Sequence, residues 1–153
     1  MAEGAGPNDV DSRTLEEVLD STLESVDHAE EAVLHEAKEL GFDEENLHKI
    51  GISVRECMVN AVVHGNQYHS GKKVRLKVSR TPQRLEIVIC DEGEHFDITN
   101  LPDPLADENL LRQSGRGLLM MQAYMDEFQI KPCQPRGTEV RLVKYAAQAG
   151  EGG

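Results

Sequence analysis

The sequence contains no tryptophan and only three Tyr and three Phe. Its interior therefore has to be assembled from Leu, Val, Ile, Met and Ala. Cations are scarce as well: 16 Lys and Arg stand against 28 Asp and Glu, a formal charge of −12. Affinity for a phosphate backbone comes from clustered Lys and Arg that release counterions, so direct nucleic-acid binding is excluded as a class. The one basic cluster, Lys72, Lys73, Arg75 and Lys77, alternates with apolar residues and reads as the solvent face of a strand. Cysteine is limited to Cys57, Cys90 and Cys133. Three cannot all pair internally, none forms a CxxC, and two lie in apolar runs where a free Cys behaves as a small hydrophobe. Reduced thiols without a metal, in a cytoplasmic protein, are the expectation. No window approaches the roughly 20 apolar residues of a membrane span, and the polar, acidic stretch Met1–Asp11 carries no signal-like apolar run.

What the chain does have is length and pattern for one domain. Its 153 residues and 39% hydrophobic share suit a single soluble core. The Gly/Ala/Glu-rich ends, 1–11 and 146–153, read as disordered flanks of a domain over 12–145. Residues around Arg13–Leu23 fit a short edge strand. Ser25 or Asp27 caps a helix carrying Ala29, Val33, Ala37 and Leu40 and closed by Gly41. Asp43 caps a second helix, striped by Leu47, Ile50, Val54, Met58, Ala61 and Val62 and ended by Gly65. Val74–Val78 and Leu85–Ile89 alternate around Thr81-Pro82-Gln83 and form an antiparallel hairpin. A polar, Pro-containing stretch follows, in a place suited to a lid. Gly117–Glu127 reads as a third helix with Leu118, Met121 and Met125 inward, and Phe128–Pro132 and Thr138–Tyr145 as closing strands. The sum is an α/β fold, a two-layer sandwich with helices backing a mixed, mostly antiparallel sheet.

Three clusters carry chemistry. Glu56 and Asn60 stand four apart, so both project from one flank of the second helix. The pair suits a general base from Glu56 and an oxygen ligand for Mg²⁺ from Asn60. Asp91-Glu-Gly93 follows a buried strand, where a carboxylate can accept from an exocyclic amine and a glycine lets a planar base approach. Ser114-Gly115-Arg116-Gly117 opens a helix whose N–H groups can cradle phosphates, which lets even an acidic protein hold an anionic nucleotide. The chain has neither a Walker A sequence nor a GxGxxG after its first strand, which sets aside the two commonest nucleotide folds.

In order and spacing, Glu56-Cys-Met-Val-Asn60-Ala-Val-Val-His64-Gly65, Asp91-Glu-Gly93-Glu-His-Phe96-Asp97, Gly115-Arg-Gly-Leu118, Met125-Asp126-Glu127 and Gly137-Thr138 resemble the GHKL ATPase superfamily. Within it the chain is similar to the RsbW-like anti-sigma-factor serine/threonine kinases, from about Ser25 to Tyr145. The resemblance implies a Bergerat-type fold that binds ATP and Mg²⁺. Asn60 would coordinate the metal and Glu56 would orient or deprotonate the attacking hydroxyl. Asp91 would take the adenine amine beside Gly93, with Leu118 and Thr138 completing the pocket and Gly115 and Gly117 passing the phosphates. It further implies a sigma factor and a STAS-type antagonist as partners, and a homodimer. The chain departs from the pattern twice. His95 replaces a second glycine, and Gln113 occupies the place of a lid arginine, with Arg112 and Arg116 as neighbouring candidates for the γ-phosphate. An ATP-gated binding module without phosphotransfer is the alternative that this second departure motivates.

Overall fold

The computed structural model describes residues 12–93 and 116–146. Five strands and three helices follow one another in it: β1 (Arg13–Asp20), α1 (Leu23–Glu39), α2 (Glu44–Val59), β2 (Lys73–Thr81), β3 (Arg84–Cys90), α3 (Arg116–Tyr124), β4 (Glu127–Pro132) and β5 (Thr138–Tyr145). The strands form one sheet in the order β1-β2-β3-β5-β4. Every pairing among the described strands is antiparallel. The expected flank 1–11 lies outside the described residues, as do 94–115 and all of the expected flank 146–153 except Ala146, whose N–H donates to the Gln83 carbonyl at 2.8 Å. No helix among the described residues is long and apolar enough to cross a membrane.

Alternation on β2 and β3 decides which face is covered. Val74, Leu76 and Val78 and, opposite them, Leu85, Ile87 and Ile89 are buried against the helices. Arg75 and Lys77 point the other way and are exposed, so the basic cluster is the solvent face of a strand. Thr81 pairs directly with Arg84, which leaves Pro82 and Gln83 as a two-residue hairpin loop. β1 takes the edge position beside β2, with Leu15 opposite Val78 and Leu19 opposite Val74.

The helices supply the second layer. Val26, Ala29, Val33 and Ala37 of α1 and Ile50, Val54, Cys57 and Met58 of α2 are buried in the same cluster as the strand residues. Asp43 caps α2, its side chain accepting from the Asn46 N–H at 2.9 Å. The cap of α1 is Thr22, which accepts from the Ser25 N–H, not Ser25 or Asp27. Thr22 holds an extended backbone at the first point where the chain leaves β1, so the helix starts there and Ser25 is already inside it. Gly41 takes a φ of +87° just past Leu40, the left-handed conformation expected of a closing glycine.

Two further elements differ from expectation. The second helix reaches Gly65, but its last part, Asn60–Gly65, widens into a π turn. There the Asn66 N–H donates to the Ala61 carbonyl five residues back, at 2.8 Å. Turns of this kind occur frequently at functional sites. α3 ends at Tyr124, short of Glu127, because the Asp126 N–H donates to Val143 O at 2.8 Å and begins the sheet ladder instead. Leu118, Met121 and Met125 are nonetheless buried, as their spacing requires.

The reduced-thiol expectation fails for two of the three cysteines. Cys90 and Cys133 form a disulfide, with their Cα atoms 6.7 Å apart. Their separation of 43 residues hid the pair in the sequence, because strand order, not chain spacing, brings the end of β3 near the end of β4. Cys57 is free and buried, and burial pushes its thiol well above the ordinary cysteine range.

Candidate functional site

The ends of three core elements converge at one edge of the sandwich. β3 carries Asp91 just past its last residue, β5 begins at Thr138, and the π turn ends α2 at Gly65. Asp91 is buried, and one oxygen of its carboxylate accepts from the Gly93 N–H at 2.9 Å and the Thr138 N–H at 3.1 Å. The Asp91 N–H donates in turn to the Thr138 carbonyl at 3.0 Å. Charge-assisted bonds from backbone N–H groups are short and strong, so this carboxylate is held in position by main chain. Thr138 is itself buried.

Three glycines explain how so much backbone fits around one carboxylate. A Cβ on Gly65 would lie 2.5 Å from Asp91 Oδ2, one on Gly93 would lie 2.0 Å from the Gly65 carbonyl oxygen, and one on Gly137 would lie 1.9 Å from the Asp91 carbonyl oxygen. Gly137 also has a φ of +105°, which side chains rarely tolerate. Gly93 is therefore a packing requirement before it is anything else, and Gly65 does more than stop a helix.

Glu56 and Asn60 occupy the last turn of α2 and the first residue of the π turn, both half-buried. Glu56 reaches the start of α3, since a Cβ on Gly117 would come within 2.4 Å of its carboxylate Oε2. The glycine of the third motif thus makes room for the carboxylate of the first. Leu118, one residue on, is buried beneath this junction. The predicted Gly115 and Arg112 lie outside the described residues, and Arg116 is described only as the backbone residue that opens α3.

Sequence reasoning missed Asn66. Its buried side chain donates to Ser21 Oγ at 2.9 Å and to the Lys73 carbonyl at 3.0 Å, and it accepts from the Glu92 N–H at 2.8 Å. One carboxamide so joins the end of β1, the start of β2 and the segment behind Asp91. The signal was present in the Gly65-Asn66 pair, since both types favour helix termini. Ser21 completes the knot by donating to the Lys72 carbonyl at 2.6 Å.

The chemistry available at this edge is one rigid, backbone-held carboxylate at one end and a second carboxylate beside a helix start at the other. The two are linked through the two turns of chain from Glu56 to Gly65. Comparison with known proteins identifies the family. A family model described as a histidine kinase-like ATPase domain matches residues 19–144. The chain is 27% identical over 118 residues to the Serine-protein kinase RsbW of Oceanobacillus iheyensis, covering 73% of each chain. It is 27% identical over 117 residues to the Serine-protein kinase RsbW of Bacillus subtilis, covering 71% of each. To the Anti-sigma F factor of Thermoanaerobacter pseudethanolicus it is 30% identical over 103 residues, 66% of this chain and 71% of the relative.

Proposed function

The chain belongs to the histidine kinase-like ATPase domain family, and from that premise we propose that it is an ATP-dependent serine/threonine protein kinase acting on a sigma-factor regulator. The observation that carries the reading is a pair of junctions joined by the stretch from Glu56 to Gly65: Asp91 gripped by the Gly93 and Thr138 amides and crowded by Gly65, and Glu56 seated against Gly117. Asp91 would accept the adenine amine, with Gly93 beside the base and Thr138 and Leu118 closing the pocket. Gly115 and Gly117 would present N–H groups to the phosphates at the start of α3, as helix N-termini do.

Mg²⁺ fits the donor set as an ion brought in by a nucleotide. Asn60 offers one hard carbonyl oxygen, and among the described residues its carboxamide has no hydrogen-bond partner. A metal that keeps several waters and shares phosphate oxygens needs little more from the protein. When bound, it would be held on the protein side by Asn60 and would offset the negative charge on the transferring group. Glu56 would accept the proton of a serine hydroxyl, or orient that hydroxyl in line, while Arg112 or Arg116 would meet the γ-phosphate.

By analogy with relatives named as a serine-protein kinase and as an anti-sigma F factor, the protein would act in the cytoplasm as a homodimer. It would bind a sigma factor and phosphorylate a serine on a STAS-type antagonist, exchanging one partner for the other. The test is transfer of labelled phosphate from Mg-ATP to candidate STAS proteins. Glu56→Ala is expected to lower transfer by roughly 10²-fold or more while leaving ATP binding nearly intact, the signature of a lost general base. No transfer by the wild type, or equal transfer by the variant, would overturn the kinase reading. Calorimetry with Mg-ATP on the wild type and on Asn60→Ala separates nucleotide binding from catalysis, and no binding by the wild type would defeat both.

A further inference from the structure

We propose that Cys90 and Cys133 are a reversible thiol–disulfide site that sets how firmly the Asp91 corner is held. The argument begins with topology. β5 lies between β3 and β4. Cys90 ends β3 directly opposite Glu139, while Cys133 follows the last residue of β4, Pro132, which faces Thr138. The Cys90–Cys133 bond therefore bridges over the first residues of β5 and ties both of its neighbours together. The bonds it braces are the ones that fix Asp91. Next to one sulfur, Asp91 exchanges hydrogen bonds with Thr138 through both its amide and its carboxylate. Next to the other, the Cys133 N–H donates to the Gly137 carbonyl at 2.9 Å. Opening the bridge breaks none of these bonds itself but releases the 133–137 turn from β3, so that they open more often.

The sulfurs can be reached. They line a cleft of about 260 Å³ on the outer face of the sheet, together with Val18, Arg75, Lys77 and Glu139. A second cleft of about 130 Å³ opens beside them between Glu92 and Arg136. Cys133 is partly exposed whereas Cys90 is buried, so attack falls on the Cys133 sulfur. Arg75 stands opposite Cys90 in register and favours the departing thiolate there. Glu139 brings a carboxylate oxygen within 4.8 Å of both sulfurs and forms an ion pair with Lys131 at 3.5 Å. Cys57, sunk in the core with its thiol held protonated by burial, stands outside this chemistry.

The reductant is a low-molecular-weight thiol of the glutathione class. Its thiolate attacks Cys133 Sγ, the Cys90–Cys133 bond breaks, and Cys90 leaves as a thiolate that takes up a proton. A second thiolate attacks the outer sulfur of the mixed disulfide, freeing Cys133 and releasing the oxidised small molecule. Two electrons enter the protein, and the reverse sequence restores the bridge. In a reducing compartment such a pair acts as a sensor and not as a permanent staple. The effect on nucleotide affinity rests on the ATP reading of Asp91 given above; the exchange chemistry does not.

The experiment equilibrates the full chain in graded mixtures of glutathione and glutathione disulfide, counts alkylated thiols by mass, and measures amide exchange in parallel. The expected result is a single transition from one reactive thiol to three under denaturing alkylation. Reduction should raise exchange at the Gly93 and Thr138 amides by on the order of tenfold. Cys133→Ser is expected to show the fast exchange in every mixture, and Cys57→Ser to follow the wild type. Calorimetry on the two forms should show weaker ATP binding when reduced. A thiol count that never changes across the series, or equal exchange at both amides in the two forms, would overturn the proposal. A change in exchange with no ATP binding in either form would uphold the thiol site and defeat the nucleotide reading alone.

Discussion

Two buried carboxylates stand in different parts of this sandwich and are managed in opposite ways. Glu36 of α1, 2% exposed, meets the Arg80 guanidinium at 2.6 Å and Arg13 at 3.8 Å. Asp91, 7% exposed, is gripped by two backbone N–H groups and crowded by glycines. A guanidinium neutralises a buried charge, whereas fixed amides position it without a mobile side chain. The first arrangement closes the layer between α1 and the sheet. The second builds a surface of set geometry at the edge where the chain's motif residues gather. Burial of a charge alone does not mark a site; what holds the charge does.

That contrast can be broken from either side. Arg80→Ala leaves Glu36, among the described residues, with only the more distant Arg13 as a cationic partner, and is expected to cost about 3–5 kcal/mol of stability in urea unfolding. Its ATP affinity should stay close to that of the wild type. Asp91→Asn should do the reverse: it keeps the shape and an acceptor oxygen, costs about 1 kcal/mol of stability, and removes most ATP binding in calorimetry. Equal losses of both properties in both variants would erase the distinction. The smallest effect belongs to the outer face, where Glu127 accepts from the Tyr145 hydroxyl and from Arg141 at 2.9 Å. The Tyr145 hydrogen bond first, and Arg141 second, hold its carboxyl below the ordinary glutamate value. Stability from Glu127 is therefore fully present above about pH 4.3, the unfolded value, and is lost as pH falls through the lowered folded value. Glu127→Gln should flatten the acid limb of the stability–pH curve, read from unfolding midpoints.

The parts of the fold that were legible were those written in local pattern. Alternation around Pro82 gave the hairpin, and Asp43 and Gly41 marked real helix boundaries because caps and left-handed glycines act on their own neighbours. The clusters at Glu56, Asp91 and Gly117 were legible as motifs, and the structure brings the described members together. Long-range features were not legible. Nothing near Cys90 in the chain points to Cys133, and nothing near Asn66 shows that its carboxamide will meet Ser21 and Glu92. The widened turn at Asn60–Gly65 was hidden too, since a π turn and an α turn share the same side-chain preferences and differ only in one carbonyl partner.

That widened turn carries a consequence for how the gene can change. Each residue of an α-helix advances the chain by about 100°, so the extra residue absorbed between Ala61 and Asn66 sets the angle at which Gly65 arrives at Asp91. Deleting one residue there would let the turn relax into ordinary helix and swing Gly65 away from the carboxylate. Glu56, Gly65 and Asp91 could all be kept and the corner would still be lost. Insertions and deletions in this stretch are thus screened by rotation, so the interval from Glu56 to Gly65 is a fixed count of residues quite apart from what burial demands of Cys57, Met58, Ala61 and Val62.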